Sequence, residues 1–344
     1  MSQPQFLTGL DVGSNSIRMV TGQLSDKGGV QELQIIAAAE IGSEGVSKGT
    51  IISIEDATAS ISSCIERVER MIGTQLPSAW VGISGGHIIS DESRGVVAVS
   101  KPDGEIRDED VERAIDAART VATPLNYEIF HVIPRSFTVD GQANIRDPIG
   151  MNGIRLEVDA QIIQGLSAQL KNLTKCVYRT GLDIEDLVLS ILATTEAVVT
   201  KKQKDLGVLV VNIGGATTSF AIFEEGDLLN AGVIHIGGDH ITSDVAIGLR
   251  TSVDVAERVK LAYGAATVKG QEKKEEINLS EFGGEDELVS RKYITEIIGA
   301  RVEELYERID KELKKIGRSG MLPAGVVLTG GGAKLAGVVE LAKE

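Results

Sequence analysis

Phe6-Leu7-Thr8-Gly9-Leu10-Asp11-Val12-Gly13 is a strand pattern that carries an acid to its end and stops at a glycine. A polar turn, Ser14-Asn15-Ser16, follows. Ile17–Leu24 then runs back as a second strand, Asp26-Lys27-Gly28-Gly29 breaks it, and Leu33–Ala39 reads as a third, so the chain opens with the antiparallel part of a mixed sheet. The same order of parts returns in the second half. Gly207-Val208-Leu209-Val210-Val211-Asn212-Ile213-Gly214-Gly215 is an apolar strand entering a glycine turn, and Thr217–Phe223 and Leu228–Ile236 complete a second meander. A third strand-to-glycine turn, Ala324–Ala333, passes through Gly330-Gly331-Gly332. Such turns let backbone approach phosphate oxygens, and their N–H groups form a nest for an anion. An acid at a strand end, such as Asp11, can hold hydrated Mg²⁺ through water, because that ion keeps several waters and takes few protein ligands. One glycine turn is most often only a turn. Three in matching contexts point to one phosphate-bearing ligand.

Elsewhere strands and helices alternate. Ser53 with Asp56 has the spacing of a capping box, and Ile54, Ala57, Ile61, Ile65, Val68 and Ile72 recur at helical spacing, with Pro77 closing the unit before a strand at Trp80–Ser84. Between Gly85 and Asp159 the texture changes to an inserted α+β module: a strand at Gly95–Ser100, a helix at Asp108–Ala122, and strands at Tyr127–Ile133 and Arg135–Val139. Val158–Gly165 reads as a buried strand and Ser167–Thr180 as a helix. The charged stretch Lys269–Glu287 reads as a solvated loop. A long helix after it carries Ile294, Ile298, Val302, Leu305, Ile309 and Leu313 on one stripe.

Composition narrows the function. The 344 residues carry 35 Lys and Arg against 50 Asp and Glu, a net charge of −15, which disfavours nucleic acid as a partner. Cys64 and Cys176 are the only cysteines and lie far apart, and the four histidines have no metal-ligand spacing, so neither a disulfide scaffold nor a zinc site is expected. His87, His131, His235 and His240 read as satisfied structural residues rather than bases. Met1–Phe6 is no secretory signal, and no apolar run reaches the ~20 residues of a membrane span, so the chain reads as cytoplasmic.

The three turns, as Asp11–Ser16, Asn212–Thr218 and Leu328–Gly337, resemble the phosphate-1, phosphate-2 and adenosine motifs of the actin-like ATPase superfamily. More narrowly, Glu44-Gly45-Val46-Ser47-Lys48-Gly49-Thr50-Ile51, Gly104–Val111, His131-Val132-Ile133-Pro134, Asp147–Leu156, Gly237–Asp244 and Ala256–Lys260 resemble the FtsA family, bacterial actin-like cell-division proteins, over essentially the whole chain. The resemblance implies an α/β, two-lobed actin-like (ribonuclease H-like) ATPase fold with an inserted α+β subdomain. Residues 1–84 and 160–204 would form the first lobe and 85–159 the division-specific insert. Residues 205–240 and 318–344 would form the second lobe, and 241–317 its small subdomain. It further implies ATP or ADP with Mg²⁺. Phosphate-side residues would be Asp11 (to Mg²⁺ through water), Gly13, Ser14, Asn15, Ser16 and Arg18, then Asn212, Gly214, Gly215, Ala216, Thr217 and Thr218. Gly238 and Asp239 would join them, Glu257 and Lys260 would face ribose and adenine, and Gly330, Gly331, Gly332 and Lys334 would shape the adenosine turn. Without the resemblance, Glu257 and Lys260 read as a solvated helix face.

As partners the resemblance implies FtsZ, the tubulin-like division protein, and further copies of this chain in filaments. Arg291, Lys292 and Arg301 would then face an acidic peptide, although on charge alone they read as solvated. Membrane contact at the division site, on the cytoplasmic side, would come through a C-terminal amphipathic helix, which is not found before the chain stops at Leu341-Ala342-Lys343-Glu344.

Several residues depart from the family pattern. Asn212 stands where Asp is usual, Ala216 and Ser219 replace a glycine and an aspartate, and Ser16 replaces a frequent Lys, with Arg18 two residues on. Ser190-Ile191 stands where related ATPases place Glu-Pro, and Glu196, six residues later, lies on the wrong side of the helix to substitute. Nucleotide binding with slow or no hydrolysis is therefore expected, and no residue is assigned a catalytic role. A pilus-assembly adaptor of the PilM type is the alternative. A sugar kinase or chaperone-like ATPase would need the missing Asp and Glu.

Overall fold

The computed structural model describes residues 6–27, 30–100, 103–120, 123–268 and 275–343. The chain divides into two compact units, Met1–Gly207 with Ala221–Gly232, and Val208–Phe220 with Val233–Glu344.

The first unit opens with the antiparallel meander β1 (Phe6–Val12), β2 (Ser16–Lys27) and β3 (Val30–Gly42). Two short strands, β4 (Val46–Ser47) and β5 (Thr50–Ile51), lead to α1 (Ile54–Ile72) and β6 (Ser78–Ile83). The Ser53 side chain accepts from the Asp56 N–H and caps α1, and Gly73 ends it in the left-handed conformation. Ala57, Ile61, Cys64, Ile65 and Val68 form the buried face of α1.

The insert follows as β7 (Ile88–Ala98), α2 (Asp108–Arg119), β8 (Tyr127–Val139), β9 (Gln142–Ile145) and β10 (Arg155–Leu166), with the sheet ordered β7-β10-β8-β9. Its core sets Ala114 and Ala118 of α2 against Leu156, Val158, Ala160 and Ile162 of β10. After it come α3 (Ser167–Tyr178), β11 (Asp183–Leu189), α4 (Ser190–Val198) and α5 (Lys201–Leu206). β6 and β11 run parallel to β1, giving the order β11-β6-β1-β2-β3.

The later elements are β12 (Val208–Ile213), β13 (Thr218–Glu224), β14 (Asp227–Ile234), α6 (Gly238–Gly248), α7 (Val253–Tyr263), β15 (Glu276–Asn278), β16 (Leu288–Ser290), α8 (Arg291–Lys315), β17 (Val326–Thr329) and α9 (Val338–Leu341). β12 pairs in parallel with β17 and buries Val208–Val211 completely, the mark of a strand covered on both faces. The expected apolar stripe of α8 is buried along its length.

Four expectations change, the first being that the strand foreseen at Gly95–Ser100 is the longer β7, Ile88–Ala98. The two strands foreseen at Tyr127–Ile133 and Arg135–Val139 are one, β8, with its register slipping where Pro134 and Ser136 face Ala160 and Asp159. Arg135 is the extra residue there, beside a proline that has no N–H for the ladder. The Lys269–Glu287 stretch is not wholly a loop. Residues 269–274 lie outside the described ones, but Glu276–Asn278 pairs with Leu288–Ser290 because Ile277, Leu279 and Val289 are buried. Helix α2 ends at Arg119, and Val121 and Ala122 lie outside the described residues.

Candidate functional site

The site expected from the sequence falls into two groups, one in each unit. In the first, Asp11 near the end of β1 lies opposite Arg18 on β2. The Gly13 N–H donates to the Ser16 carbonyl at 3.1 Å, closing a tight turn. The Ser14 hydroxyl accepts from the Gly49 N–H at 2.9 Å, and the Asn15 carbonyl accepts from Ser43. Ser190, first residue of α4, donates its hydroxyl to Asp11 Oδ1 at 3.0 Å. β6 brings Gly82 into the same corner, where a Cβ would stand 2.7 Å from Ser190 Oγ and 3.0 Å from Asp11 Oδ1. Burial among these strand ends pushes the Asp11 carboxyl above the usual range, opposed by the Ser190 hydroxyl and by Arg18. Such a carboxyl gains most from a cation placed against it. Arg18 also pairs with Glu40 at 2.8 Å, so its charge is shared across β2 and β3.

The second group repeats the first. Asn212 of β12 lies beside Thr329 of β17. The Gly214 N–H donates to the Thr217 carbonyl at 2.9 Å, and a Cβ at Gly214 would lie 2.8 Å from that oxygen, the same separation found between Gly13 and the Ser16 oxygen. The two turns therefore share one backbone geometry despite differing side chains. Ala216 is buried, and the buried Thr218 hydroxyl donates to the Ile236 carbonyl, so it serves the fold, whereas Thr217 is the hydroxyl left at the turn.

Helix α6 starts directly on this turn. The Gly238 and Asp239 N–H groups donate to the Gly214 and Gly215 carbonyls at 2.9 and 2.8 Å, and the Gly237 N–H donates to His240 Nδ1. From α7, Lys260 Nζ donates to the Thr242 hydroxyl at 2.7 Å and the Gly238 carbonyl at 3.3 Å, and pairs with Glu257 at 2.6 Å. Thr242 in turn bonds to Glu257. Glu257 and Lys260 are thus tied to the turn through Thr242, not spread on a solvated face. Gly330, at φ +86, passes against Asn212 and Ile213, Gly332 against Ile213, Gly331 is open, and Lys334 closes the short 3₁₀ turn exposed.

The expected partner residues are largely paired internally. Arg301 binds both oxygens of Asp244, at 2.6 and 3.0 Å, and also Glu304. Arg291 donates to Glu275 and stands over the Tyr263 ring, and Lys292 pairs with Glu296 at 3.4 Å. His131 and His240 are satisfied as expected, but His87 Nδ1 is buried with no hydrogen-bond partner, and burial pushes its pKa down. Among the described residues no group of three or more His, Cys, Asp or Glu is placed to hold a metal directly. Sequence reading missed Gly82, Thr242 and the Ser190–Asp11 bond. Thr242 lies in a stretch that resembles the family, whereas the other two depend on which strands lie side by side.

The fold class follows from these elements: an actin-like ATPase fold with a domain inserted in its first unit. Solved structures agree. The PilM–PilN type IV pilus biogenesis complex matches with a TM-score of 0.69 at 17% identity, over 98% of this chain and 84% of that one. MreB5 of Spiroplasma citri bound to ADP matches at 0.56 and 13%, over 98% of this chain and 88% of that one. The family described as "SHS2 domain inserted in FTSA" matches residues 85–164, and "Cell division protein FtsA" matches residues 209–344. The FtsA of Bacillus subtilis is 39% identical over 100% of this chain and 77% of its own, and that of Pseudomonas aeruginosa is 37% identical over 99% and 81%. The chain belongs to the FtsA family of cell-division proteins.

Proposed function

We propose that this chain binds ATP or ADP with Mg²⁺ and uses the nucleotide as a structural ligand in cell division, with slow or no hydrolysis. The observation that carries the reading is the shared geometry of the two turns, each a glycine N–H closed onto a carbonyl at a strand end. Two MreB5 structures of similar fold hold ADP and AMPPNP. Asp11 fits a hydrated Mg²⁺ because its carboxyl is buried and has few compensating partners. When bound, the ion would neutralise phosphate charge. The chain's own groups would hold the phosphates by turn N–H groups and hydroxyls, and Glu257 and Lys260 would meet the ribose and base.

Slow hydrolysis rests on Asn212, which has no charge with which to orient an attacking water, and on Ser190, whose hydroxyl is bonded to Asp11. In the division machinery, membership of the FtsA family supports an adaptor that self-associates and tethers FtsZ to the inner membrane face, recruiting later division proteins. Among the described residues no helix is long and apolar enough to cross a membrane, and a peripheral position at the division site is part of the proposal. The PilM reading has fold likeness alone behind it.

Calorimetric titration of ATP with Mg²⁺, followed by phosphate release on the same sample, tests this: binding with little release is expected, brisk release would sink the structural-ligand reading, and no binding would sink the nucleotide reading. Lys260→Met is expected to weaken ATP binding about tenfold or more, because charged hydrogen bonds are lost. Unchanged affinity would remove α7 from the site.

A further inference from the structure

We infer that His131 of the inserted domain is a positioning residue for the Asp11 turn, acting through the end of β11. β11 is an edge strand of the five-stranded sheet, so its outward N–H groups have no neighbouring strand to bond. At its last residue, the Leu189 N–H donates to His131 Nε2 at 3.1 Å, and that imidazole comes from β8 of the insert. A nitrogen that accepts carries no proton, so His131 is the neutral ring with its proton on Nδ1. Burial holds it there, against the opposing charge of Asp186. The next residue is Ser190, whose hydroxyl reaches Asp11.

Two hydrogen bonds on adjacent residues thus join the insert to the turn. They meet at the junction of β11 and α4, where the backbone turns from strand to helix and no helical bond yet holds the Leu189 N–H. Losing the imidazole acceptor leaves the N–H of Leu189 unpaired and releases the placement of Ser190. An insert linked to the first unit only through its two chain ends would have no such hold. The inference rests on reading the Asp11 turn as a nucleotide half-site, and it gives the insert a part in setting that half-site.

The test compares His131→Phe and His131→Asn, which lose an acceptor at the Nε2 position, with His131→Gln, whose Oε1 can reach it. Hydrogen exchange of the whole chain without nucleotide is expected to rise about five- to tenfold in the two losing variants, the worth of one neutral hydrogen bond. The rise should cover both residues 186–191 and residues 10–17, while the Gln variant stays close to the parent. A rise confined to residues 186–191 would overturn the inference, as would equal effects of Gln and Phe. With Mg²⁺ and ATP, His131→Phe should weaken binding by a similar factor, and Ser190→Ala added to it should cost little more, because both remove one linkage. Additive losses would overturn it. Should the parent chain bind no nucleotide, the nucleotide reading falls, and exchange over residues 10–17 still decides the role of His131.

Discussion

Gly330→Ala is expected to destabilise the second unit by about 3 kcal/mol or more, combining a φ that a side chain resists with a forced overlap. Gly330 lies at φ +86 and ψ 177, a region essentially reserved for glycine. Its added Cβ would lie 2.5 Å from the Ile213 carbonyl and closer still to Asn212 Oδ1. The Asn212 amide can turn aside, but the Ile213 carbonyl is backbone at the end of β12 and cannot, because the neighbouring residue holds the register that pairs β12 with β17. Relief would require these two parallel strands to part at the turns they position. Gly331→Ala is the internal control. A Cβ there meets nothing within 4 Å, so its stability should stay within about 0.5 kcal/mol of the parent. Urea unfolding of both variants checks the pair. The control also separates fold from ligand: if nucleotide passes over this turn, Gly331→Ala keeps its stability and loses ATP affinity, and unchanged affinity would place the ligand elsewhere.

The two glycine turns were legible in the sequence because their geometry is local. A strand end, a glycine and a hydroxyl run dictate where the next backbone oxygen can lie, and the 2.8 Å separations at Gly13 and Gly214 repeat accordingly. Helices α1 and α8 were legible for a similar reason, since a buried stripe repeats at helical spacing. β11 escaped because Asp183, Glu185 and Asp186 interrupt its apolar pattern, and parallel pairing with β6, a contact distant in sequence, is what makes it a strand. The corner formed by Asp11, Gly82 and Ser190 escaped for the same reason: two strands and the start of a helix, far apart in sequence, supply it. Ser190 was singled out only as a missing glutamate, and the structure shows what its hydroxyl does instead. Thr242 lay in full view but reads as one more polar helix residue until Lys260 and Glu257 close on it.

Asp110→Ala is expected to destabilise the inserted domain by about 2–3 kcal/mol, the cost of losing a buried carboxylate whose hydrogen bonds come from two backbone N–H groups, a hydroxyl and the half-exposed Arg113. Asp110 is only 1% exposed. Its carboxylate accepts from the Ser100 N–H at 3.1 Å, the Ser100 hydroxyl, the Arg107 N–H at 3.1 Å and Arg113. It therefore caps the start of α2 and ties that helix to the end of β7, over the core formed with β10. Burial alone would raise its pKa, but the hydrogen bonds from Ser100, Arg113 and the two backbone N–H groups outweigh it and hold the carboxyl well below the usual range. The sign follows. A depressed folded pKa gives stability that is complete above the unfolded value of about 3.9 and drains away as pH falls through the folded value. Asp110→Asn, which keeps size but not charge, should thus lie well below the parent in stability at pH 7, and the gap should narrow between pH 4 and pH 2. Hydrogen exchange over residues 103–120, followed across that range, measures it. A gap that stays constant with pH would show that the amide fills the carboxylate's place and that ionisation of Asp110 does not stabilise the domain.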